Sequence, residues 1–151
     1  MSPDGWSDVA TSLRQAGLRV TAPRVAVLSE VRAGQHLTAD GVAAGVRGRV
    51  GPISTQAVYD VLSALTRADL LRRIEPAGSA TRYETRVGDN HHHVVCRGCG
   101  AIADVDCVVG EPPCLEPPDA GGFIVDEAEI TFWGMCPRCL AAVPEPNTKE
   151  S

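Results

Sequence analysis

An α+β fold in two parts is predicted by three observations. Four stretches with helical periodicity and a short hairpin fill the first 85 residues, strand-like alternation fills residues 91–142, and the charge changes sign between them. Residues 1–87 hold 11 arginines against 8 acidic side chains, whereas residues 88–151 hold 3 basic against 11 acidic ones, for a net charge of −5. A chain of 151 residues is long enough for two small domains of roughly 80 and 60 residues. The acidic total argues against a nucleic-acid partner for the whole chain, but the basic first half stays a candidate for binding phosphate.

In the first half, Trp6, Val9, Ala10 and Leu13 recur at helical spacing and Gly17 offers a left-handed stop, which predicts a helix over 6–16. Thr21 caps a second helix with Pro23 in its first turn and Val25, Leu28 and Val31 facing inward, closed by Gly34. Thr38 caps a third helix that buries Val42, Ala43 and Val46 and ends in the glycine-rich GRVGP loop. Ser54 caps the fourth, where Val58, Val61, Leu62 and Leu65 form the apolar stripe and Thr55, Gln56, Tyr59, Asp60 and Ser63 are left outside. The runs LLRRIE and ATRYET around Pro76-Ala77-Gly78-Ser79 then read as a hairpin. Helices followed by a two-stranded hairpin make a winged helix-turn-helix over 1–85, with the fourth helix as the reader of a major groove. No run of 18 apolar residues and no signal-like start occurs, so a soluble, cytoplasmic protein without a membrane partner is expected.

Residues 86–90 read as a hinge, and the chemistry follows it. The stretch HHHVVCRGCG, His91 to Gly100, carries three histidines and the pair Cys96 and Cys99; a second pair, Cys136 and Cys139, lies in GMCPRCL with 36 residues between. Each two-residue gap lets a tight turn aim both sulfurs at one ion, so the four thiolates read as a closed structural zinc site. Two disulfides or a thioredoxin-like redox pair are the alternatives; neither a secretory signal nor a βαβ pattern supports them. Strands are expected at 92–97, 101–105 and around Ala128, Ile130 and Phe132, with no regular helix in the proline-rich Cys107 to Gly122 segment. Cys107 and Cys114 read there as small buried hydrophobes or as an accessory thiol pair. So small a sheet predicts pairing with a second copy, within a domain over 91–142. The tail over 143–151 reads as disordered.

On a strand His91 and His93 share one face and His92 takes the other, which suits two imidazoles on one ion. Taken singly, His36 is a loop histidine, Glu84 a hairpin charge and Asp104 a strand-end acid.

The combination of LRVTAPRVAVL, ISTQAVYDVL, a hairpin ending in RYE, HHHVVCRGCG and the late CPRC resembles the ferric uptake regulator superfamily over about Leu13 to Leu140. QAVYDVL, RVGDNHHH, ADVDC and DEAEITFWG further resemble its peroxide-sensing catalase-repressor branch, encoded beside catalase-peroxidase genes. The resemblance implies a homodimeric, metal-dependent repressor, not an enzyme, with a small C-terminal α/β dimerisation domain. It also implies a regulatory metal on His36, Glu84, His91, His93 and Asp104, besides zinc on Cys96, Cys99, Cys136 and Cys139. Imidazoles with carboxylates suit Fe(II) or Mn(II), with zinc able to substitute. Such an ion would clamp the two halves for a palindromic, AT-rich double-stranded DNA operator. Tyr59, Gln56 and Thr55 are then the candidates for base contacts, and Arg14, Arg19 and Arg24 for phosphate or the minor groove.

The sequence departs from the family in three places. Ala128 stands where some members have a further metal-binding histidine, the proline-rich segment replaces a helix, and Asp60 stands where many relatives carry a basic residue. Other readings are an iron-, zinc- or nickel-uptake repressor without peroxide sensing, a zinc hydrolase with Glu84 as base, and a zinc-ribbon adaptor with no second metal.

Overall fold

The structure is a computed structural model describing residues 3–107, 113 and 115–143; Cys114 and the tail beyond Val143 lie outside the described residues. The chain divides into two compact units, 1–88 and 89–151.

The first unit begins with α1 (Pro3–Gln15), longer at its start than the periodicity suggests. Val9, Ala10 and Leu13 are buried, but Trp6 is largely exposed, so the inward stripe starts one turn later than expected. Gly17 takes the left-handed conformation, φ 73°, that ends the helical segment without a Cβ clash.

Helix α2 (Ala22–Gly34) starts where Thr21 accepts a hydrogen bond from the Arg24 N–H, with proline in the first turn. Gly34 closes it as expected, but without the left-handed turn. It is the last helical residue, and a Cβ there would lie 2.5 Å from Leu37 Cδ1, so a larger residue would have to push that side chain aside. The reversal falls instead on Gln35 and His36, with φ of 45° and 49°. Two consecutive non-glycine residues in this region are uncommon and strained.

Strand β1 (Leu37–Thr38) follows, then α3 (Ala39–Val50), capped by Thr38 accepting from the Gly41 N–H, and α4 (Thr55–Arg67), capped by Ser54 accepting from the Ala57 N–H. β2 (Arg72–Ile74) and β3 (Arg82–Glu84) form the antiparallel hairpin, with Arg73 opposite Tyr83. The sequence pattern gave no sign of β1, which is too short for alternation to show. It pairs antiparallel with β3, making a sheet of order β1-β3-β2. Helices α1 to α4, Leu71 and Tyr83 share one apolar core that includes Leu13, Leu28, Val46, Leu62 and Leu65.

In the second unit β4 (His91–Cys96) is the central strand, antiparallel to β5 (Ile102–Asp106) and parallel to β6 (Thr131–Gly134). The strand expected around Ala128 to Phe132 is shorter than its alternation, starting only at Thr131. The unforeseen α5 (Pro137–Ala141) is one short turn set by Cys136 at its N-cap. Among the described residues from Cys107 to Gly122 there is neither helix nor strand. No helix is long and apolar enough to cross a membrane among the described residues.

Candidate metal centres and nucleic-acid face

The four cysteines meet because three chain ends converge. Cys96 closes β4, the turn through Gly98 returns the chain with the Gly100 N–H donating to the Cys96 carbonyl at 2.9 Å, and α5 opens at Cys136. The four sulfurs lie within 4.8 Å of one another. Backbone amides are already aimed at them: the Cys136 N–H donates to Cys96 Sγ at 3.3 Å and the Cys139 N–H to Cys136 Sγ at 3.4 Å. A Cβ on Gly98 would come within 3.1 Å of Cys139 Sγ, so a larger residue in the turn would crowd the sulfur.

The electrostatics fit a dication. Backbone N–H groups of Cys136 and Cys99 lower the Cys96 thiol to about 6, and the Ala101 N–H and then Arg138 lower Cys99. Cys139 is pushed up to about 12, because the sulfurs of Cys136, Cys99 and Cys96 surround it. Amides alone therefore leave the Cys139 thiol protonated. A divalent ion removes that conflict, and a set of four thiolates suits zinc. None of the five described cysteines, these four and Cys107, is in a disulfide, and Cys107 is half-buried.

The histidines and carboxylates predicted as ligands fall into two groups, one in each unit. In the first unit the reversed backbone at Gln35 and His36 aims the His36 ring at Glu84 on β3, with Nε2 donating to Oε2 at 3.1 Å. Three contacts hold the reversal: Gln35 Nε2 donates to the Arg32 carbonyl and to Thr85 Oγ1, and Arg82 donates to the His36 carbonyl at 3.2 Å. Glu84 is fully buried.

In the second unit the strand period puts His91 and His93 on one face, with ring centroids 4.9 Å apart, and the β4–β5 register sets Asp104 opposite His93. Asp104 Oδ1 lies 3.6 Å from His93 Nε2 and 3.9 Å from His91 Nε2. His92 faces the other way, where its Nδ1 accepts the Ile130 N–H at 3.4 Å and braces the approach to β6.

Asp89 was not foreseen. Its carboxylate accepts from His91 Nδ1 at 2.5 Å, which fixes the tautomer and turns Nε2 toward Asp104. The only sequence signal is an acid two residues ahead of a histidine, too common to single out.

On the first unit, Thr55, Gln56, Tyr59, Asp60 and Ser63 all lie on the exposed face of α4, and Tyr59 is 43% exposed. Arg47 ties the start of this helix down, donating to the Ile53 carbonyl at 3.2 Å and to Thr55 Oγ1 at 3.1 Å. Arg14 and Arg19 are exposed, while Arg24 is half-buried and donates to the Arg19 carbonyl.

Comparison with known proteins identifies a family and a fold. The sequence model of the ferric uptake regulator family matches residues 15–111. The transcriptional regulator FurA of Mycobacterium tuberculosis H37Rv is 59% identical over 132 residues, covering 87% of this chain and 90% of that protein. Ferric uptake regulation protein 1 of Mycolicibacterium fortuitum is 58% identical over 126 residues, covering 83% and 78%. The Helicobacter pylori ferric uptake regulator superposes with a TM-score of 0.66 at 20% identity over 95% of both chains. The Campylobacter jejuni peroxide stress regulator superposes with a TM-score of 0.60 at 21% identity over 92% of this chain and all of that one. Neither structural likeness separates a peroxide-sensing branch from the rest. Relatives named as transcriptional regulators also rule out the hydrolase alternative. The chain belongs to the ferric uptake regulator family of metal-dependent transcriptional regulators.

Proposed function

We propose that this chain is a homodimeric repressor whose grip on a palindromic, AT-rich operator depends on one regulatory ion, Fe(II) or Mn(II), held by His36, Glu84, His91, His93 and Asp104. Peroxide relieves it, at a catalase-peroxidase gene and at its own. The observation that carries the reading is the pair of preformed donor groups, His36 with Glu84 in one unit and His91 and His93 with Asp104 in the other. Neither group offers enough donors for a six-coordinate ion, whereas together they supply three imidazoles and two carboxylates, a set suited to Fe(II) or Mn(II).

Ligands drawn from both units make binding favour one arrangement of the two over others. DNA affinity then rises by the difference in ion affinity between those arrangements, typically about 1–3 kcal/mol. Cys96, Cys99, Cys136 and Cys139 hold zinc and give the second unit its shape. A second copy is supported by apolar side chains that the unit leaves outside, notably Phe123 at 82% and Ile124 at 97% exposure. Two-fold pairing sets the two α4 helices about 34 Å or a multiple apart, each in a major groove with Tyr59, Gln56 and Thr55 toward the bases. Arg14, Arg19 and Arg24 are assigned to phosphates or the minor groove.

Ferrous iron, when bound, supplies the electrons that cleave peroxide. His36 and His91 would register the event, because oxygen added to either ring weakens it as a donor. An uptake repressor without peroxide sensing is the second reading, favoured by the names of the Mycolicibacterium fortuitum relatives, ferric uptake regulation proteins 1 and 2.

The test loads the protein with Fe(II) under anaerobic conditions, measures operator binding, then adds peroxide and maps oxygen addition by mass spectrometry. DNA binding that requires the ion and is lost together with oxidation of His36 or His91 is expected. Retained binding with both histidines intact leaves the uptake reading. Binding indifferent to the ion, or unchanged by alanine at both His91 and His93, refutes the regulatory site.

A further inference from the structure

The exposed face of α4 carries one polar contact between its own side chains: Gln56 Nε2 donates to Asp60 Oδ1 at 2.9 Å, one helical turn away. Both residues are exposed, and they flank Tyr59 on the side of the helix turned from the core. Such a pair adds only slightly to the stability of an isolated helix. What it does to the chemistry of the face matters more.

A glutamine amide presents an acceptor oxygen and two N–H donors, and a free one can rotate to show either end to a base. An ionised carboxylate only accepts, so Asp60 selects the orientation in which the nitrogen points toward it. One N–H is occupied; the carbonyl and the second N–H remain. That acceptor-donor edge matches adenine, which offers its N6 amino group as donor and N7 as acceptor in the major groove. Guanine offers two acceptors there, O6 and N7, and the remaining amide oxygen opposes O6. The Asp60 charge adds a second discrimination, because it is repelled by phosphates and by the acceptor-rich edge of guanine.

We propose that Asp60 is a specificity-determining residue of this regulator: it orients Gln56 to read an adenine in each half-site and lowers affinity for DNA of other sequence. Asp60 acts through Gln56 and is a positioning residue. The inference rests on the reading of α4 as the helix that enters the major groove.

The experiment is selection of bound sequences from a randomised duplex library by the full-length, zinc- and iron-loaded protein, comparing wild type with D60A, D60N and Q56A. Each variant is also titrated against the selected operator and against unrelated duplex at two salt concentrations. Wild type should enrich adenine at one position of each half-site, and both D60A and Q56A should lose that preference. The ratio of specific to non-specific affinity should fall about tenfold in D60A, partly because unrelated duplex binds more tightly. D60N removes the charge and can present its own N–H to Gln56, so it should relax the same position. Both residues are exposed, so circular dichroism should be unchanged, and altered base preference is a readout that helix stability alone would not move. Retention of the adenine position in D60A with an unchanged affinity ratio overturns the proposal. Should wild type enrich no sequence at all, the DNA-reading role of α4 falls as well.

Discussion

The two units are held by different forces. In residues 1–88 the interior is apolar: Val9, Leu13, Leu28, Val31, Val46, Leu62 and Leu65 come from four helices and close one core. In residues 89–151 the buried apolar side chains among the described residues are only Val95 and Cys96, and the other buried positions are His91, His92 and His93. Phe123, Ile124, Phe132 and Leu140 of the second unit stay in solvent instead. Burial at about 25 cal/mol per Å² of apolar surface can order the first unit. The second must obtain its order from ions and from a partner copy, as small domains lacking a core generally do. Stability thus sits in the unit that carries the helix proposed to face DNA. Ligand dependence sits in the unit that carries the cysteine cluster.

The largest way to break this contrast is to take the zinc away. Structural zinc couples on the order of 10 kcal/mol of binding to folding, so chelation should abolish amide protection in β4 through β6 while Leu62 and Leu65 in α4 keep theirs. Protection that survives at Val94 and Val95 in zinc-free protein would mean that the second unit has a sufficient core after all.

The converse substitution is Leu62→Ala. Leu62 is wholly buried in the first unit, and the cavity should cost about 2–5 kcal/mol in chemical denaturation with the zinc content unaltered. A loss below 1 kcal/mol, on the order of a surface change, contradicts the central place given to that core.

A smaller change sharpens the comparison within the second unit. Asp89→Asn leaves the cysteine cluster alone and removes the carboxylate that orients His91, so affinity for the regulatory ion should fall about 10–100-fold with zinc retained. Competition against a chromophoric chelator measures it, and equal affinity for the two proteins removes Asp89 from the site.

Local pattern made a good part of the molecule legible. Thr21, Thr38 and Ser54 are caps because a side-chain oxygen beside an apolar stripe satisfies N–H groups that the first turn leaves bare. The two Cys-x-x-Cys turns could be read from spacing, and so could the common face of His91 and His93, since both depend on a few bonds of chain.

Other features needed the fold. Gln35 and His36 rather than Gly34 take the reversal, and Leu37 packs close against Gly34. Strand β1 is two residues long and exists only because β3 offers it an edge. The parallel pairing of β6 with β4, the placing of Asp104 opposite His93, and the contact between Asp60 and Gln56 are likewise settled in three dimensions.

The sequence by itself determined the helices, their caps, the turn chemistry of the cysteines and the residue types that can hold a metal. Tertiary structure alone decided strand partners, register and the orientation of each donor. The physical reason is range: periodicity and capping act within one turn or one strand, whereas register and side-chain direction are chosen by packing between segments far apart in the chain.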